Sequence, residues 1–194
     1  MRDKLFGFAG VAALAMGMGF AAPSTATAGS MVAYNGHHSP GTIVVSTSQR
    51  RLYYVLGNGQ ALVYPVGVGR MGKQWAGHTA IEGKYVRPDW MPPAEIRRDK
   101  PHLPYRIPGG SPRNPMGAAA LTLAGGEYAI HGTNSPRSIG GYVSYGCIRM
   151  FNHDITDLYA RVGRRPDGPL RRLEASVWCR PKTLRSNMIE LPAR

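Results

Sequence analysis

Near the middle of the chain stand a histidine, a cysteine and an arginine, His131, Cys147 and Arg149, of the types that acyl transfer through a thiol requires. A thiol attacks only as its thiolate, so it needs a neighbour that takes its proton. His131 follows the apolar stretch Tyr128-Ala129-Ile130 and precedes Gly132-Thr133-Asn134, where a positioned base at the end of a strand would sit. Cys147 lies sixteen residues further on in Ser144-Tyr145-Gly146-Cys147-Ile148-Arg149-Met150, behind a glycine-rich loop (Ile139–Tyr142) that can fold the two residues together. Gly146 would let a ligand come close to the backbone. Successive N–H groups of Tyr145, Gly146 and Cys147 could point at a carbonyl oxygen and stabilise an oxyanion, each such donor being worth about 2.7–4 kcal/mol. Arg149 offers a two-pronged donor for a carboxylate. With Cys147 at a strand end, Arg149 shares its face.

Spacing leaves other readings open. Cys147 could be a small buried apolar residue, or one half of a disulfide with Cys179, the only other cysteine. His131 could be structural. Zinc finds no C-x-x-C or H-x-x-x-H pairing to complete a tetrahedral site, and Ser144 has no G-x-S-x-G elbow around it.

The elements that must position these residues are mostly strands. With 194 residues, 43% hydrophobic and 18% charged, the chain suits one globular domain with a sizeable core. Its 25 glycines and 16 prolines fit many turns and short strands. Thr42–Ser46, Arg51–Leu56 and Ala61–Val68 read as strands, the last two joined by an Asn58-Gly59 hairpin turn. This spacing predicts a mainly β fold, a sandwich or barrel. Residues 29–41 are polar and read as a flexible segment. Residues 69–118 read as a long Pro-rich loop, in which Tyr85, Trp90 and Tyr105 among Arg87, Arg97, Arg98 and Arg106 would suit a groove for a polar, anionic ligand. A structural excursion on the sheet is the alternative. Ala119–Leu123 and Glu127–Ile130 read as a hairpin turning at Gly125-Gly126. Asn152 reads as an N-cap for a short helix over 153–162, stopped at Gly163. Leu173–Trp178 is a strand candidate, and residues 179–194 a basic tail.

Residues 1–28 read as a signal peptide: Arg2 and Lys4, an apolar run from Leu5 to Ala22, then the small residues Thr25-Ala26-Thr27-Ala28. Cleavage would leave Gly29 first; an uncleaved membrane anchor is the alternative. The expected location is exported, in the periplasm. The net charge of +13 becomes +12 once Arg2, Asp3 and Lys4 are removed. Such a charge attracts anionic partners. No nucleic-acid motif is present, and an exported protein rarely meets nucleic acid, so an anionic envelope polymer is the better partner.

The run HGTNSPRSIGGYVSYGCIRMFNHDITDLYARV, His131 to Val162, closely resembles the signature of the L,D-transpeptidase (YkuD-type) catalytic domain. Upstream, IVVSTSQRRLYYVLGNGQALVYPVGVGR (Ile43 to Arg70) resembles the opening strands of that family. The resemblance implies a β-sandwich-like fold over residues 42–178 and peptidoglycan cross-linking through a cysteine thioester. It implies Cys147 as nucleophile, His131 as base and Arg149 as the binder of a substrate carboxylate. Gly132 would orient the histidine through its carbonyl, while Ser144, Tyr145 and Gly146 would line the oxyanion region. The implied partner is a peptidoglycan stem peptide, with a second stem, water or an envelope protein as acceptor. No metal or organic cofactor is required. An L,D-carboxypeptidase or a non-catalytic peptidoglycan binder would keep the same residues. Many family members have a second histidine where this chain has Tyr145, and the segment Gly77–Gly83 lacks the usual proline.

Overall fold

The computed structural model describes residues 28–125 and 128–163, and the backbone of one more strand over residues 174–178. Apart from Ala28, the expected signal peptide lies outside the described residues, as do Gly126, Glu127, Cys179 and the expected basic tail.

Thirteen elements follow in order: β1 (Ser30–Ala33), β2 (Ile43–Ser46), β3 (Arg51–Gly57), β4 (Gln60–Pro65), β5 (Val68–Gly69), β6 (Gly77–Val86), α1 (Ala94–Asp99), β7 (Ala119–Leu123), β8 (Ala129–His131), β9 (Tyr142–Ser144), β10 (Ile148–Arg149), α2 (Asn152–Arg161) and β11 (Glu174–Trp178). The fold is mainly β, as the strand spacing predicts. Nine strands form one sheet in the order β1-β4-β3-β2-β11-β6-β7-β8-β10, and β5 pairs with β9 separately. Asn58 and Gly59 make the β3–β4 turn, both with positive φ (51° and 70°), as a primed hairpin turn demands.

β6 joins the two halves of the sheet. Its first residues, Gly77–Ala80, pair with β11, while Ile81–Val86 pair with β7 across a bulge. The halves share one core. Ile43, Val45, Leu52, Leu62 and Tyr64 from β2–β4 meet Leu121, Ile130 and Ile148 from β7, β8 and β10. Ile155, Leu158 and Val162 complete this core from α2 and the residue after it. The apolar residues at helical spacing that predict α2 are thus the ones it buries. Tyr64 is fully buried, and its hydroxyl donates to Asp157 of α2 at 2.6 Å. Among the described residues no helix is long and apolar enough to cross a membrane.

The elements differ from the sequence expectation in three places. The segment 29–41 is not loose throughout: Ser30–Ala33 form β1, an edge strand against β4. Four largely exposed residues carry no alternation to reveal it, and backbone pairing supplies its order. Residues 69–118 likewise hold the ten-residue strand β6 and the short helix α1. β6 has glycines at both Gly77 and Gly83 and no fully buried residue, so its period-2 signal is dilute.

Asn152, expected as an N-cap, makes no cap hydrogen bond; Phe151 holds that position. The Asn152 Oδ1 instead accepts the backbone N–H groups of Ala118 at 3.0 Å and Thr133 at 3.1 Å, tying the start of α2 to the chain beside β7 and β8. Gly132 must be a glycine here, because a side chain would collide with the Asn152 amide. Replacing Asn152 with Ala strips two backbone donors of their acceptor. Urea unfolding should register a loss of about 2 kcal/mol, two ordinary hydrogen bonds at a net value of roughly 0.5–1.5 kcal/mol each; an unchanged midpoint would contradict the bridging role.

Candidate active site

His131 is the last residue of β8, held from both sides. It pairs with Ala120 of β7 and, in parallel register, with Arg149 of β10. Its carbonyl accepts the Met150 N–H at 2.8 Å. The side chain is 4% exposed, and its Nδ1 lies 2.6 Å from the Gly132 carbonyl oxygen. A carbonyl can only accept, so the Gly132 oxygen favours a ring proton on Nδ1. Burial, followed by the nearby Arg149 charge, holds the His131 pKa down at about 4, although the Gly132 and Pro115 carbonyls oppose this. The ring is therefore neutral at pH 7, the state a base requires.

Cys147 lies in the turn between β9 and β10. Ser144 staples that turn: its hydroxyl accepts the Gly146 N–H at 3.1 Å and donates to the Cys147 carbonyl at 2.6 Å. Ser144 is itself buried. This changes the expected oxyanion donors, because the Gly146 N–H is engaged by Ser144 and Ser144 acts through the turn. Gly146 has φ 128°, and a side chain there would overlap the Tyr128 ring, so glycine is required on both counts. Trp75 stacks on Tyr128 (centroids 5.5 Å apart, planes 5° apart) and donates its indole N–H to the Gly146 carbonyl at 3.0 Å. Sequence reading does not single out Trp75. It stands 71 residues from Gly146, and nothing local couples the two.

Arg149 is anchored through its backbone to Gly67, with paired hydrogen bonds of 2.8 and 2.9 Å. Its Nε is buried without a hydrogen-bond partner, and it forms no ion pair with a carboxylate among the described residues. Burial pulls its pKa down; the charge that favours its cation is that of Cys147. The attraction is mutual, so the guanidinium favours the thiolate.

His131, Cys147, Arg149, Ser144 and Tyr145 line one cleft of about 500 Å³. The opposite wall comes from the Pro-rich segment, through Trp90, Pro93, Ile96 and Arg97. Asp89 stiffens that wall by binding Arg106 and accepting the Gly109 N–H at 2.7 Å, and Trp90 pairs with Ile107. The groove expected of this segment is thus narrower in membership: Trp90 and Arg97 face the cleft, while Tyr85, Tyr105, Arg87, Arg98 and Arg106 are not in its lining. Among the described residues no cluster of three or more His, Cys, Asp or Glu side chains could hold a metal ion.

A mainly β domain with a histidine, a cysteine and an arginine converging on one cleft is the class of protein that fold and site define. The family profile of the L,D-transpeptidase catalytic domain (YkuD) matches residues 40–171, and the chain belongs to that family. Over 129 residues it is 42% identical to the Escherichia coli K12 protein named "Probable L,D-transpeptidase YbiS", covering 62% of this chain and 41% of that one. It is 43% identical over 129 residues to "Probable L,D-transpeptidase ErfK/SrfK" of Salmonella typhimurium, covering 62% and 40%. The chain thus spans about two fifths of the length of these relatives. In fold it is similar to the catalytic domain of the E. faecium L,D-transpeptidase solved by NMR, with TM-score 0.53, 17% identity, and coverage of 74% of this chain and 100% of that one.

A buried neutral histidine makes stability depend on pH. Because the folded pKa of about 4 lies below the unfolded value near 6.5, the unfolded chain binds the proton first as pH falls. Stability is full above pH 6.5 and is lost as pH falls through 4. Urea titrations should find wild type losing up to roughly 3 kcal/mol more than His131→Gln across that window. Parallel pH profiles would contradict a neutral buried ring.

Proposed function

We propose that this protein is an exported L,D-transpeptidase acting on peptidoglycan stem tetrapeptides through a thioester at Cys147. The observation that carries this reading is a half-buried guanidinium, Arg149, with no carboxylate partner among the described residues, beside a thiol and a neutral imidazole in one cleft. A buried cation without a counter-ion is costly unless a ligand supplies the charge. The carboxylates of a stem peptide would supply it, and the net charge of +13, or +12 without residues 1–28, favours their approach.

The chemistry runs in two halves. Nε2 of His131 takes the Cys147 proton as sulfur adds to the carbonyl carbon of the third stem residue. The developing oxyanion meets the N–H groups of Tyr145 and Cys147, the two expected donors other than Gly146. The C–N bond to the terminal D-alanine then breaks, and the imidazolium returns the proton to the departing amine. A thioester remains. A second stem's side-chain amine attacks it, loses a proton to His131, forms the new amide and releases the thiolate. Water in place of the amine would give a carboxylate, the outcome of an L,D-carboxypeptidase. A protein amine would tether an envelope protein to the wall. The leader-like residues 1–28 support export, with the periplasm as the compartment.

The test is intact-mass spectrometry of the mature protein incubated with disaccharide-tetrapeptide. A covalent tripeptide adduct that is lost in Cys147→Ala, together with a cross-linked dimer product, is the expected result. Tripeptide alone would make the enzyme a carboxypeptidase. Absence of any adduct would overturn the thioester reading and favour a non-catalytic peptidoglycan binder.

A further inference from the structure

The short helix α1 roofs the catalytic cleft yet buries none of its own side chains. Six residues are too few to sustain a helix alone in water. Polar contacts at its two ends join the half-buried Ile96 and the buried Pro92 just before it in fixing its position. At the N-terminal end Glu95 pairs with Lys73. At the C-terminal end Asp99 accepts from two donors at one oxygen, the Tyr145 hydroxyl at 2.8 Å and the Arg70 guanidinium at 3.1 Å. These bonds hold the Asp99 pKa below the usual carboxylate range, the Tyr145 hydroxyl first and Arg70 second. Arg70 also lies over the Tyr145 ring, 4.0 Å from its centre.

The two donors stand on a rigid base. Arg70 follows β5, Tyr145 follows β9, and the two strands pair with each other. The Arg70 N–H also donates to the Ser144 carbonyl at 2.9 Å. Tyr145 is two residues before Cys147, in the turn that Ser144 staples. One side chain thus joins the roof of the cleft to the turn that carries the nucleophile.

We propose that Tyr145, Asp99 and Arg70 form a latch that holds α1 over the cleft and thereby decides whether an amine or water resolves the acyl-enzyme. This rests on the thioester reading of Cys147. With α1 docked, Ile96 and Arg97 wall the cleft and bulk water has restricted access to the thioester carbonyl. With the latch broken, α1 lifts and water competes. An amine acceptor yields an amide and the thiolate; water yields a carboxylic acid and the thiolate. The side chains of Tyr145, Asp99 and Arg70 are positioning groups, since they act through α1; the Tyr145 N–H is unaffected by the substitutions below.

Two readouts on the full purified chain test this, using Tyr145→Phe, Asp99→Asn, the double variant and Arg70→Gln. Hydrogen exchange without substrate reads the latch alone. Exchange over residues 94–99 should rise by up to about fivefold in each single variant, the size expected for one lost exposed charged contact, and little further in the double. Partition of the tetrapeptide reaction at fixed amine concentration reads the consequence: amide product should fall several-fold relative to hydrolysed tripeptide. Unchanged exchange in Tyr145→Phe and Asp99→Asn overturns the latch whatever the activity. Raised exchange with an unchanged partition overturns its role in acceptor choice. A wild type that forms no thioester defeats the catalytic reading instead, and that reading's part in the proposal with it, while exchange still judges the contact.

Discussion

The hydrogen bond from the His131 ring to the carbonyl of the next residue, 2.6 Å long, decides which nitrogen holds the proton, and the geometry of the site is arranged around it. The bond exists because β8 ends at His131 and the chain turns at Gly132, where the Asn152 amide leaves no room for a side chain. Burial of the ring then keeps it uncharged, and the neighbouring Arg149 cation acts in the same direction. A charged imidazolium in that place would lose solvation and meet a like charge. A neutral one is free to accept a proton.

Around this bond the scaffold uses backbone pairing more than side-chain contact. β8 and β10 set His131 beside Arg149, and the Gly67–Arg149 pair links β10 to the chain just before β5. Ser144 and Trp75 fix the turn between β9 and β10 from two directions. Cys147 and His131 thus come from segments whose mutual position is set by three strand ends. That precision is what proximity effects require, since a displacement near 1 Å can cost about a hundredfold in rate. The opposite wall is made differently. α1 has no fully buried side chain and is tied down at its ends by ion pairs and one tyrosine.

Much of this was legible in the sequence because it is local. The β2–β3–β4 meander announces itself by alternation and an Asn-Gly turn, and α2 by apolar residues at helical spacing. His131, Cys147 and Arg149 were legible through residue type, and the structure brings all three to one cleft. What was hidden depends on distant partners. β6 has weak alternation and is ordered by neighbours on both sides. Asn152 looks like a cap in isolation, yet its oxygen is claimed by Ala118 and Thr133. Trp75 lies in a glycine-rich stretch with no pattern, and its role appears only once Tyr128 and Gly146 are beside it. Tyr145 carries no local signal either, since its partner Asp99 is 46 residues away.

The most direct measurement is nitrogen NMR of protein labelled at the histidine ring. The account predicts that at pH 7 His131 carries its proton on Nδ1 with an unprotonated Nε2, and that this form persists until the ring titrates near pH 4. An imidazolium at neutral pH, or a proton on Nε2, would contradict it.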